Sequence, residues 1–340
     1  MKSFRFILIL LLGTAATVLA QDKPSGKFSG YMFGDYYWIA KNHNTEIEKM
    51  NGFWLRRVYF TYDKTLSDAF STRLRLEMGH PGDFETSGKA EPFIQDAYLK
   101  WKKGNTQLLL GISSTPTWDV IEKTWGYRSV EKTLLDLQKF GSSRDFGIAV
   151  KGNLDQAGKV KYHLMVGNGN SNKSETNKGK KAMLSLGFYP SKEIIIEFYG
   201  DLNDNPGDTN WRTVQGFAAY NGKKVRLGLQ FAHQTRSVES GDDLKFKLGS
   251  VFFVSKVGEK TNLFARVDRM FDPNPSGSKI SYIPFSSTAK STFFVGGVDI
   301  MPIKDVHLMP NIEFVTYDEI DGGEKPDSDV IPRFSFYYKF

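Results

Sequence analysis

Apolar and polar side chains alternate along most of this 340-residue chain, and the connections between the alternating stretches are themselves alternately short and long. The clearest stretch is Phe70–Met78, where Leu74, Leu76 and Met78 fall on one phase and Arg73, Arg75 and Glu77 on the other. A strand repeats every two residues, so these two sets lie on opposite faces and the strand separates oil from water. The same reading holds for Val160–Val166, Val225–Phe231 and Leu263–Asp268. It predicts about sixteen strands, near 27–40, 52–63, 69–79, 92–102, 105–113, 144–153, 159–168, 180–189, 192–202, 211–221, 223–236, 243–256, 261–271, 291–301, 304–317 and 330–340. Short links such as Lys102–Asn105, Asn221-Gly222 (a two-residue hairpin signal) and Pro302-Ile303 alternate with long polar ones such as Gly167–Gly179, Asp272–Lys290 and Asp318–Asp329.

An even number of amphipathic strands joined by alternating turns and loops predicts an all-β fold, a transmembrane antiparallel β-barrel of the outer-membrane porin type. Each strand has about the 9–11 residues that cross a bilayer at a tilt. A closed sheet also leaves no backbone group unpaired in lipid. The composition fits this. Mean hydropathy of −0.37 and 24% charged residues look soluble, but 27 Phe, 15 Tyr and 6 Trp supply the aromatic girdles of a barrel. The competing reading is a soluble secreted all-β binding protein, a sandwich pair or propeller, in which nothing requires long and short links to alternate.

Residues 1–20 read as a cleaved signal peptide: Lys2 and Arg5, an apolar run from Phe6 to Leu12, then small residues up to Ala20. Their removal leaves residues 21–340 as a single barrel domain and lowers the formal net charge from +7 to +5. A membrane-anchor helix is the alternative, and its apolar run is short for that. The last strand places Phe334, Phe336, Tyr338 and Phe340 on one face. An aromatic strand ending in Phe resembles the signal read by the barrel-assembly machinery of the bacterial outer membrane, the expected location.

Gly52-Phe-Trp-Leu-Arg-Arg-Val58, Asp96-Ala-Tyr-Leu-Lys-Trp101, Gly111-Ile-Ser-Ser-Thr-Pro116 and Arg144-Asp-Phe-Gly147 occur in that order. Over residues 50–150 this set resembles the phosphate-selective porin O and P family. The resemblance implies a homotrimer of sixteen-stranded, water-filled channels, often anion-preferring, that pass small hydrophilic solutes or anions.

Sixteen strands enclose more space than wall side chains fill, so what narrows the lumen decides function. The link 114–143 is the longest. It carries a helical pattern at Val130, Leu134, Leu135 and Leu137, and is expected to fold inward; the alternative is an exposed lid. Its charges balance, with Asp119, Glu122, Glu131 and Asp136 against Lys123, Arg128, Lys132 and Lys139. The polar phases of the strands predict lumenal Arg57, Arg73, Arg75, Lys100, Lys151, Lys161, Arg226, Lys245, Lys247 and Arg266. The same phases carry Asp35, Asp63, Glu77, Asp96, Asp145, Glu197, Asp201, Asp268, Asp299 and Glu313. Arg57, Arg73 and Arg75 form a candidate positive patch, while Arg56, on the other phase, is expected to snorkel at the outer rim. The candidate pore-lining and constriction set is therefore Arg57, Arg73, Arg75, Lys100, Asp119, Glu122, Lys123, Arg128, Lys132, Arg226 and Arg266.

The chain has no Cys, which removes thiol catalysis and Cys-ligated metals. Its five histidines, His43, His80, His163, His233 and His307, are scattered without metal or catalytic spacing. No enzyme activity, metal or cofactor is expected. The basic charge is spread over strands rather than gathered in a patch, so no nucleic-acid partner is expected. A non-conducting barrel acting as an enzyme or adhesin remains the other membrane reading.

Overall fold

The computed structural model describes residues 26–207, 209–320 and 322–340; the signal-peptide expectation for residues 1–20 lies outside them. Sixteen antiparallel strands close into one barrel, each paired with its sequence neighbours and β1 with β16. They are β1 (Gly26–Trp38), β2 (Asn51–Thr65), β3 (Phe70–Gly79), β4 (Glu91–Lys103), β5 (Thr106–Ser114), β6 (Arg144–Asn153), β7 (Val160–Gly167) and β8 (Lys181–Phe188). The second half comprises β9 (Ile194–Asn203), β10 (Trp211–Asn221), β11 (Val225–Arg236), β12 (Leu244–Gly258), β13 (Thr261–Met270), β14 (Ser291–Ile300), β15 (Val306–Tyr317) and β16 (Asp329–Lys339). Every expected strand is present, with ends shifted by a few residues. No helix of the described residues is long and apolar enough to cross a membrane.

Alternation sorts the side chains as a barrel requires. Outward residues such as Leu110, Ile148, Leu184, Leu229 and Val251 are exposed, whereas Asp35, Glu77, Asp96, Asp268, Asp299 and Glu313 are buried inside. The hairpin signal at Asn221-Gly222 is displaced. Asn221 still pairs with Arg226, so the turn is Gly222–Val225, closed by the Gly222 N–H donating to the Val225 carbonyl at 3.0 Å.

Two local departures from strict alternation change the reading of named residues. A bulge in β2 pairs Phe33 with Arg57 and Gly34 with Leu55, leaving Arg56 as the extra residue. A bulge turns two successive side chains to one face, so Arg56 lies inside with Arg57, 3% exposed, and not at the outer rim. On β12 the inward phase is Phe246, Leu248, Ser250 and Phe252, so Lys245 and Lys247 face outward rather than into the lumen. They stand near the long-loop end, where polarity no longer marks the lumenal side because the outer face there also meets water and headgroups.

Candidate functional site

The inner wall differs between the two halves of the barrel. From β2 to β4 its inward residues are mostly charged or polar, but from β9 to β14 they include Tyr199, Phe217, Phe246, Leu248, Phe252, Val254, Phe264 and Phe293. These strands are apolar on both faces, as Ser250-Val-Phe-Phe-Val254 shows in sequence. Apolar groups do not stay against water, and here two inserted loops cover them.

The first cover is the segment between β5 and β6. It forms α1 (Trp118–Trp125) and the short α2 (Leu134–Leu137). The sequence pattern pointed to the second stretch; α1 is carried by Trp118, Ile121 and Trp125, which recur at helical spacing and are buried. Trp118 packs edge-on to Tyr199 at 5.7 Å, Trp125 lies 5.4 Å from Phe252, and Phe140 lies 5.1 Å from Phe246. Tyr127 stacks on Phe264 at 4.4 Å and donates its hydroxyl to Asp299 at 3.1 Å. Gly126 ends α1 at φ +76°, where a Cβ would stand 2.8 Å from the Arg226 guanidinium, so this turn needs glycine twice over.

The second cover is the link between β13 and β14, whose composition alone predicts an ordinary polar loop. Its Ile280, Tyr282, Ile283 and Phe285 are all buried. The Tyr282 N–H donates to the Gly82 carbonyl at 2.6 Å, and Arg56 lies 4.5 Å over the Tyr282 ring. The visible signal was the run Ile280-Ser-Tyr-Ile-Pro-Phe285 inside a Ser- and Pro-rich link.

A buried ionic network fastens both loops to the wall. Arg333 on β16 pairs with Glu313 at 2.7 Å and Asp35 at 3.0 Å, and donates to the Tyr282 carbonyl at 2.5 Å. Arg56 pairs with Asp35 at 3.1 Å and with Glu131 of the first loop at 3.4 Å, and also donates to the Val130 carbonyl. Alternation alone could not reveal this network, because Arg56 enters it through the bulge and Tyr282 through a loop.

Opposite the covered half, charged groups of the first loop face those of β2–β6 across open space. On the wall, Arg57 pairs with Glu77, Arg75 with Asp96 at 3.3 Å, and Arg144 with Asp96 at 2.5 Å. On the loop, Arg128 lies 3.6 Å from both Glu122 and Asp136, and Asp119 lies 3.7 Å from Lys123 and 3.8 Å from Arg144. A cavity of about 530 Å³ on the short-turn side includes Arg75, Asp119, Glu122, Lys123, Arg128, Arg144 and Arg226 in its lining. A cavity of about 360 Å³ on the long-loop side includes Arg57, Glu77, Arg128, Lys132 and Asp136. Arg128 lines both, so the two spaces meet at its side chain.

Titration at this junction is shifted by the surrounding protein. Burial, reinforced by Asp136 and opposed by Arg128, pushes the Glu122 carboxyl up to about 7. Burial also pushes the Lys132 amine down to about 8, with Asp136 opposing and Arg128 adding to the effect. Asp119 is held below its usual value: burial raises it, but Arg144 and Lys123 outweigh that. The Lys132 amine has no carboxylate within 4.0 Å among the described residues, unlike the guanidinium groups of Arg57 and Arg128.

The other candidates lie apart from the junction. Arg73 pairs with Asp63 at 2.7 Å, towards the short turns. Lys100 sits on the inward phase of β4 opposite Leu109, outside both cavities. Arg226 lines the larger cavity and donates to the Trp125 carbonyl at 3.3 Å. Arg266 faces inward as expected but does not line the lumen; it is 2% exposed, paired with Asp268 at 2.9 Å behind Trp125. The aromatic cover of α1 removes it from water. Arg144, absent from the candidate set, joins the site because β6 begins directly beneath the loop.

No family model and no curated protein matches the sequence. Among solved structures, the chain is similar to the anion-selective porin from Comamonas acidovorans, with TM-score 0.69 and 11% identity over 94% of this chain and 100% of that one. It is also similar to a loop L8 deletion mutant of OmpT, an outer membrane protein of Vibrio cholerae, with TM-score 0.67 and 14% identity over 94% and 100%. The outer membrane channel DcaP of Acinetobacter baumannii gives TM-score 0.66 and 12% identity over 93% and 97%. These likenesses establish the fold: a sixteen-stranded β-barrel of the outer-membrane porin type.

Proposed function

We propose that this protein is a bacterial outer-membrane porin, a channel through which small hydrophilic solutes and ions diffuse passively, with a preference for anions. The observation that carries this reading is the meeting of the two cavities at Arg128, between the first inserted loop and the β2–β6 wall. A solute crossing there passes within reach of Arg57, Arg75, Arg128, Lys132 and Arg144, and selectivity is decided by the charges at such a narrow point. Glu77, Asp96, Asp119, Glu122 and Asp136 offset these cations, so the preference is weak and falls to groups left unpaired. Lys132 is one of them, and Glu122, titrating at about 7, is only partly charged at neutral pH. The ordered motifs over residues 50–150, similar to the phosphate-selective porin O and P family, and the likeness to an anion-selective porin support the same sign.

In this reading residues 1–20 direct export and are removed, and the aromatic last strand is recognised by the assembly machinery. The barrel sits among outer-membrane lipids as a homotrimer, as the sequence resemblance implies and as with the trimer form of Vibrio cholerae OmpT. No chemistry is performed on the solute. The test is the reversal potential of single channels of the mature protein in a planar bilayer under a KCl gradient. A chloride-favouring potential supports the proposal. Equal permeability to K⁺ and Cl⁻ overturns the anion preference, and a folded, inserted but silent protein overturns the channel.

A further inference from the structure

The outward face of the barrel carries a row of cations in one place only among the described strands. Thr235 of β11 is paired with Arg212 of β10 on one side and with Lys245 of β12 on the other. One step towards the membrane, His233 is flanked by Val214 and Lys247. A step further, Arg269 of β13 pairs with Gly249. Arg269 is held by Asp318 at 2.5 Å, but the side-chain cations of Arg212, Lys245 and Lys247 have no carboxylate within 4.0 Å among the described residues. The acids of the adjoining loops include Asp242, Asp243 and Asp272; Asp272 accepts the backbone N–H of Lys247 at 2.8 Å.

Below this row the surface turns apolar at once. Val214, Phe231, Val251 and Phe271 are 58%, 52%, 48% and 43% exposed. At the long-loop ends of β1, β2, β6, β7 and β9 the outward strand residues are Trp38, Phe53, Phe146, Val166 and Leu202, with no cation among them. Three adjacent unpaired cations above an apolar belt have the layering of a lipid whose acyl chains meet the belt and whose anionic headgroup meets the rim. The repulsion between like charges makes the same face a poor contact for a second copy of the chain.

We propose that the outer face of β10–β13 at the long-loop rim docks a phosphorylated lipid of the outer leaflet, its phosphates held by Arg212, Lys245 and Lys247. The inference rests on the outer-membrane reading above, because the long loops face outward in such barrels. It is independent of the pore, since none of these side chains faces the lumen. Each Lys or Arg near a charged lipid surface strengthens attraction about fivefold.

The test uses the mature protein in phosphatidylcholine nanodiscs supplemented with diphosphorylated lipid A, with retained lipid counted by native mass spectrometry. We expect retention by the wild type, roughly a hundredfold weaker retention by the triple variant R212Q/K245Q/K247Q, and a comparable loss when the wild type is offered dephosphorylated lipid A. Equal retention by the triple variant, or of the dephosphorylated lipid, overturns the proposal. So does a disulfide formed in native membranes between K245C side chains of neighbouring copies, which would give this face to a second copy. The same preparations are assayed for single-channel current, so failure of the channel reading appears as silent bilayers whatever the lipid retention.

Discussion

At the scale of single residues, the site is a set of charges whose effect depends on which are unpaired and which titrate near neutrality. Glu122 sits at about 7 and Lys132 at about 8, against Arg57 and Glu77 from the wall and Arg128 and Asp136 from the loop. Lowering the pH from 9 to 6 protonates Lys132 and then Glu122, and each step adds positive charge to the junction. The proposed anion preference should therefore rise as pH falls, with E122Q removing the step near 7 and K132Q the step near 8, read as reversal potential against pH. A preference that weakens on acidification would contradict the assignment. The individual charges were legible in sequence because the two-residue period sorts them. Arg56 was not, since one inserted residue reverses the phase, and Arg266 was legible as inward but not as sealed.

At the scale of elements, the inserted loops are held by buried ion pairs, and breaking one partner of such a pair leaves the other charge stranded. Removing Arg333 strands the fully buried Glu313 and leaves Asp35 with Arg56 alone, and should cost on the order of 3–5 kcal/mol. R333A should lower the temperature at which the barrel loses its folded electrophoretic mobility, whereas K100A, at the periphery of the site, should leave it almost unchanged. The absence of cysteine makes the loop position directly testable. Ser129 Oγ lies 3.8 Å from Met309 Sδ, so S129C/M309C should be bridged by a short bifunctional thiosulfonate reagent without loss of current. Failure to crosslink would place the loop elsewhere. Strand positions were readable because lipid and lumen impose opposite chemistry on alternate residues. Loop insertion was only half readable. Its receiving surface is encoded in strands that are apolar on both faces, and α1 and the Ile280–Phe285 run are short apolar patterns within polar surroundings.

At the scale of the whole molecule, closure of sixteen strands creates a lumen, and the covered β9–β14 half leaves the charged β2–β6 side for passage. Topology was readable from alternating link lengths, because antiparallel strands crossing a membrane put successive links on opposite sides. The path through the lumen was not, since it depends on side chains brought together from a bulge, two loops and several strands. The most direct test of that path is the current through single R128C channels, in an otherwise cysteine-free protein, during exposure to a negatively charged thiosulfonate reagent. R128C is expected to conduct, and modification to lower its conductance in discrete steps while shifting selectivity towards cations. Open R128C channels whose current and selectivity do not change after complete modification would contradict this and place the path of solutes away from Arg128.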